Sequence, residues 1–195
     1  MKTAISVLFL FVATVTFGSH VKKGNVHLVE NVPVYLFSTP VQKYSETGTI
    51  GSSFTGLLWL SPDDCQELTI NQRVGLIVRN AKRKLRKGKI ENFDAILINR
   101  DGTIGTLIKF DGEASTESHV EMVENKPVYI FCTPASNYKE VGMINNVFRT
   151  SFSSYSVSSF VRRAKRKNEK GKLADFDAIV ISSDGVRAYL IKFDQ

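Results

Sequence analysis

The sequence predicts an α+β protein: a tandem duplication of a β-β-α-β-β unit, mostly antiparallel sheet, with one helix packed on a face of each unit. Three observations carry this reading. Residues 29–40 (VENVPVYLFSTP) recur as 123–134 (VENKPVYIFCTP), and residues 93–111 (FDAILINRDGTIGTLIKFD) recur as 176–194 (FDAIVISSDGVRAYLIKFD). Between the recurring stretches, apolar residues repeat every three or four positions, the period of a helix with one buried face.

The two copies align at an offset of 94 through Tyr44/Tyr138, Gly48/Gly142 and Ile50/Ile144, and at 83 from Ala81/Ala164 onward. The first copy therefore carries 11 extra residues between 51 and 80. The expected organisation is a signal peptide over 1–18, a first repeat over 19–112 and a second over 113–195. Each repeat is long enough for a small domain.

Within a repeat, Pro33-Val34-Tyr35-Leu36-Phe37-Ser38 is β-prone and bounded by prolines, so a strand is expected there. A second strand is expected over 46–50. Strand alternation places Tyr35 and Phe37 on one face, and Tyr129 and Phe131 likewise, as sheet packing residues. Tyr44 and Tyr138, past the Thr-Pro break, are expected in packed loops. The helix follows, with Ile70, Val74, Ile77, Ala81 and Leu85 on its apolar face and Gly88 just past its end. In the second copy Val157, Phe160, Val161 and Ala164 precede Gly171 in the same way.

Each repeat closes on a hairpin. Asp101-Gly102 and Asp184-Gly185 suit a two-residue type I′ turn, which needs positive φ at both positions. That register sets Phe93 opposite Phe110, Asp94 opposite Lys109 and Ile96 opposite Leu107; the second copy sets Phe176 opposite Phe193 and Asp177 opposite Lys192. Such cross-strand pairs stabilise a sheet by roughly 0.2–1 kcal/mol each. The repeated Asp and Lys are therefore read as fixing register and not as an acid–base pair.

The chain starts with Lys2 and a fourteen-residue apolar stretch (4–17), the pattern of a secretory signal peptide cleaved after Gly18. A membrane-spanning helix needs roughly 20 apolar residues. The mature chain is expected to be soluble and secreted or periplasmic. Cys65 and Cys132 fit that setting as one disulfide or as two buried thiols, a choice that depends on Cα separation.

Charge is unevenly placed. The segments 79–89 and 162–172 hold 14 of the 26 basic residues, which leaves 12 basic against 18 acidic residues elsewhere. Arg79, Lys82, Arg83, Arg86, Arg162, Arg163, Lys165 and Arg166 are accordingly the candidate contacts for an anionic partner. Against this, Lys and Arg form helices well and suit the negative end of the helix dipole. An exported protein meets little nucleic acid, and no recognition helix or stacking signature accompanies the charge. A polyanion or an envelope component is the expected partner class, with a homo-oligomer as a further option. The insertion brings in Phe54, Leu57 and Trp59, read as a packing segment or an exposed interaction surface.

No catalytic residues, metal ligands or cofactor are assigned. Nucleophile-elbow, His-Glu-x-x-His and Gly-x-Gly-x-x-Gly motifs are absent from the sequence. His20, His27 and His119 occupy no equivalent positions in the two copies, and the cysteines lack zinc-site spacing.

Phe93-Asp94-Ala95-Ile96 and Phe176-Asp177-Ala178-Ile179, each following a charged helix, resemble small bacterial domains described as heavy-metal-binding. In those, a Gly-Ala-Asp-Ala-Val-Val-type strand follows a helix. The resemblance implies a similar α+β unit and supplies no ligand set. The leading expectation is an exported, non-enzymatic binding module. The alternatives are a small hydrolase or other enzyme with a site in the groove between the repeats, and a self-assembling envelope protein.

Overall fold

The computed structural model describes residues 22–51, 68–145 and 153–194. The signal-peptide reading, His20, Cys65 and the Phe54, Leu57 and Trp59 segment lie outside those residues.

The chain is mixed α+β. In order it forms β1 (Lys23–Val26), β2 (Leu28–Val29), β3 (Val32–Leu36), β4 (Ser38–Pro40), β5 (Tyr44–Gly51), α1 (Ile70–Arg86), β6 (Ala95–Ile98) and β7 (Ile104–Phe110). There follow β8 (Glu117–Val120), β9 (Met122–Val123), β10 (Lys126–Ile130), β11 (Cys132–Pro134), β12 (Tyr138–Asn145), α2 (Ser154–Glu169), β13 (Ala178–Ile181) and β14 (Arg187–Phe193).

Both helices start and stop where local chemistry directs. Thr69 caps α1 by accepting from Gln72 N while the Gln72 side chain accepts from Thr69 N, and Ser153 and Ser156 do the same for α2. Gly88 (φ 62°) and Gly171 (φ 67°) terminate them in the left-handed region. There Lys89 N donates to Lys84 O and Lys172 N to Lys167 O, satisfying carbonyls the helix leaves open. The expected faces are the buried ones, Ile70, Val74, Ile77 and Ala81 in α1 and Val157, Phe160, Val161 and Ala164 in α2, except that Leu85 in the last turn of α1 is only half-buried.

Ten strands form one sheet, in the order β12-β14-β13-β10-β3-β6-β7-β5, with β2 added to β3 and β9 to β10. Most pairings are antiparallel; β3 with β6 and β10 with β13 are parallel, each pair bridged by a segment containing a helix. The halves of the sheet meet where Leu36 pairs antiparallel with Ile130. A second sheet, β11-β1-β8-β4, interleaves the two halves of the chain: β1 lies between β11 and β8, and β8 between β1 and β4.

Three layers result. Val34, Leu36, Val128 and Ile130 share one core with the buried faces of both helices. Tyr35, Ile108, Tyr129 and Ile191, on the opposite face, pack with Val26, Val120 and Cys132 of the four-stranded sheet.

Strand alternation fails at one position in each half, for a definite reason. Phe37 (φ 54°) and Phe131 (φ 53°) adopt the left-handed region, rare for a bulky side chain. Each chain kink turns its Phe into the helix-side core, while Tyr35 and Tyr129 remain in the other core. The Tyr and Phe are thus on opposite faces, contrary to the alternation expected. The kink lets one continuous segment leave the large sheet and enter the small one. Hydrogen bonds hold it: Glu121 N donates to Phe37 O (2.9 Å) and His27 N to Phe131 O (2.8 Å).

The hairpins keep the expected register, since Ile96 pairs with Leu107 and Ile179 with Leu190. The turn type differs. Gly102 (φ 69°) and Gly185 (φ 73°) are left-handed but their preceding aspartates are not. The loop is four residues long, closed by Asn99 N donating to Ile104 O and Ser182 N to Arg187 O (both 2.9 Å). Asn99 Oδ1 also accepts from Ile104 N, and Ser182 Oγ from Arg187 N. Two- and four-residue loops centred on the same point impose the same pairing, which is why register and turn type separate.

The paired tyrosines yield a prediction. Tyr35 Oη donates to Ser115 O at 2.6 Å, whereas Tyr129 Oη is buried with no hydrogen-bond partner among the described residues. Tyr35→Phe should lower stability by about 1 kcal/mol, and Tyr129→Phe should be neutral or stabilising by about as much. Urea denaturation of the two variants checks this; equal losses would contradict it.

Candidate functional site at the basic ends of the helices

The type I′ turns of this protein are not at the Asp-Gly pairs but at Glu30-Asn31 (φ 50° and 64°) and Glu124-Asn125 (φ 49° and 61°). They join β2 to β3 and β9 to β10 as two-residue loops, with Val29 paired to Val32 and Val123 to Lys126. Non-glycine residues are held there by the neighbouring helix. Lys82 Nζ donates to Glu30 O (3.1 Å) and lies 3.6 Å from Glu30 Oε2, and Arg79 Nε is 3.9 Å from Oε1. In the second half Lys165 Nζ donates to Glu124 O (3.2 Å) and Arg162 Nε is 3.3 Å from Glu124 Oε1.

Four of the eight candidate contacts are thereby engaged in clamping a turn. Arg83 Nη2 donates to Asn80 Oδ1 (3.2 Å), a neutral partner, and forms no ion pair with a described residue. Arg163 lies over the Phe160 ring, 5.6 Å from its centroid. Arg86 and Arg166 are exposed and form no ion pair with a described residue. Exposed Lys87, Lys89, Lys167, Lys170 and Lys172 extend these ends. Neither helix has an acidic residue in its first turn, and both carry basic residues in the last, where the helix dipole favours them.

Both helices lie on the same face of the large sheet. Leu36 and Ile130 are directly paired, hence point to one side, and both belong to the core that the two helices cover.

The repeated hairpin Asp and Lys do a different job from the charge pair expected. Asp94 Oδ2 accepts from Phe110 N (2.9 Å) and Asp177 Oδ2 from Phe193 N (3.0 Å), so each carboxylate, just ahead of β6 or β13, takes up the backbone N–H at the end of the partner strand, β7 or β14. No ion pair joins Asp94 to Lys109 or Asp177 to Lys192 among the described residues; Lys192 Nζ instead meets Asp175 Oδ2 at 3.0 Å. That contact lowers the Asp175 pKa and raises that of Lys192. The expected Phe93–Phe110 opposition also gives way, because β6 starts only at Ala95: Phe93 packs on the helix side and Phe110 on the other.

Cys132 is a free thiol, 2% exposed, whose Sγ lies 3.4 Å from Ser118 Oγ. Burial pushes its pKa up to about 11, so at neutral pH it is protonated and a poor nucleophile. Burial lowers the pKa of His27. Among the described residues no three His, Cys, Asp or Glu side chains come together as a metal site would require. An open cleft of about 520 Å³ is lined by Lys22, Met122, Lys126, Asp177, Phe193 and Asp194. Three of its polar side chains are engaged within the protein: Lys126 donates to Phe176 O, Lys22 lies over the Phe193 ring, and Asp177 accepts from Phe193 N at the end of β14. At the junction of the halves, where β3 pairs with β10, Leu36, Ile130 and both flanking tyrosines are buried. No helix among the described residues is long and apolar enough to cross a membrane.

Sequence reasoning found the basic residues but missed the Glu-Asn turns that capture half of them. The signal was present, as Val-Glu-Asn followed by a β-prone run in both copies. In comparisons with known protein families, curated proteins and solved structures, no family model, sequence or structure matches this chain.

Proposed function

We infer that this is an exported, non-enzymatic binding module that takes an anionic partner at the basic ends of its two helices, and that its halves descend from duplication of one unit, which carries five strands before its helix and two after it where two and two were expected. The observation that carries the binding reading is the set of arginines left over once the turns are clamped. Arg83, Arg86 and Arg166 are exposed and form no ion pair with a described residue, and the two helices that carry them lie on a shared face of the sheet. Lysines alone would serve solubility, but guanidinium groups suit bidentate contact with carboxylate, sulfate or phosphate. Export is supported by the apolar start of the chain. Duplication is supported by the offset of 94, which relates residues 29–40 to 123–134 and also the paired positions Leu36 and Ile130.

Immobilised heparin tests the binding reading. With about four phosphate- or sulfate-type contacts, affinity should fall roughly 50-fold between 50 and 200 mM salt as counterions are released. Absent or salt-insensitive retention would contradict it.

A further inference from the structure

Resting on that reading, we propose that the partner is an extended linear polyanion that reaches both helix ends at once, and not a compact anion held in one patch. The antiparallel pairing of Leu36 with Ile130 sends β3 and β10 away from their join in opposite directions. Val32 and Lys126, where these strands begin, each lie four residues from that pair. At ~3.3 Å per residue the two strand starts are about 26 Å apart. The Glu30 and Glu124 turns lie just beyond them, and each anchors the basic end of its own helix: Lys82 holds Glu30 and Lys165 holds Glu124.

The turns that anchor the two clusters are therefore separated by about three Debye lengths at physiological ionic strength, where the screening distance is ~8 Å. A single phosphate or a short sulfated sugar feels one cluster. A chain with charges along more than about 26 Å can occupy both, and the second contact then forms at the high effective concentration that linkage provides. A soluble chain suits this face better than a bilayer. Of the large exposed apolar side chains among the described residues, only Tyr155 (75% exposed) lies on a helix, so the two helix faces themselves offer little to insert between lipids.

Oligothymidylates of about 5 and about 20 nucleotides serve as probes, since at ~3.4 Å per phosphate they span ~17 and ~68 Å. Fluorescence anisotropy with the full mature chain should show tight binding of the long probe only. The deciding variant is Arg83→Glu/Arg86→Glu, which reverses the charge of two exposed arginines in one cluster and leaves the Lys82–Glu30 clamp intact. It should weaken the long probe about 100-fold and the short probe about twofold, as expected for loss of avidity. Arg163→Glu/Arg166→Glu should do the same from the other end, with circular dichroism unchanged in both. A loss of only about twofold for the long probe would mean independent sites and overturn the proposal while leaving polyanion binding in place. Failure of the unmodified chain to bind either probe at low salt would overturn the binding reading itself, and binding confined to anionic vesicles would assign the face to a membrane and overturn the linear-chain proposal.

Discussion

Residues 19–112 and 113–195, produced as separate chains, are expected to remain unfolded alone and to recover a cooperative fold when mixed. The reason is the small sheet. Strand β1 of the first half has both neighbours, β11 and β8, in the second half, and β8 in turn pairs with β4 of the first. Cutting the chain between the halves strips β1 of every sheet partner and exposes one face of the core around Tyr35 and Tyr129. It also opens β3 and β10 along their shared edge, which unfolded or aggregating chains commonly present. A half of this size is marginal even with a complete core. Thermal unfolding of each fragment and of the equimolar mixture checks the expectation. A sharp transition for either fragment alone would show that the halves are self-sufficient.

Gly24→Ala should cost about 1–3 kcal/mol, the usual penalty for overpacking a filled interior. A Cβ at Gly24 would stand 2.3 Å from Cys132 Sγ and 2.9 Å from Thr133 O. Gly24 pairs with Ser118 at the centre of the small sheet, and Ser118 Oγ donates to Gly24 O at 3.1 Å, so neither strand can simply shift. Adding Cys132→Ala to Gly24→Ala removes the sulfur but not the backbone oxygen. Part of the loss should then return, giving a coupling of about 1 kcal/mol in a double-mutant cycle. Strict additivity of the two substitutions in urea denaturation would contradict the close approach.

Much of this architecture was legible in local chemistry. The helices and their terminating glycines follow from periodicity and backbone preference within a few residues. The hairpin register followed from the centring of its loop. Three features depend on distant partners and were not legible. The strands β1 and β8 are short, and β1 contains Gly24 and Asn25, poor strand formers that become strands only by pairing across the halves. The left-handed backbone at Phe37 and Phe131 runs against side-chain preference and exists because two sheets must share one segment. Among the candidate contacts, the basic residues stood out by count, but which of them are spent on Glu30 and Glu124 depends on a turn meeting a helix some fifty residues later in the first half.

If function lies on the exposed arginines of the helix ends, the salt dependence of polyanion binding tests this most directly. For the unmodified chain and for Arg83→Ala/Arg166→Ala, the logarithm of the binding constant for a single-stranded polyanion is to be plotted against the logarithm of salt concentration. Each lost contact removes about 0.7 from the slope, so the variant's slope should be shallower by about 1.4. An unchanged slope, with affinity also unchanged, would mean that the partner binds elsewhere and that these helix ends serve only to hold their turns.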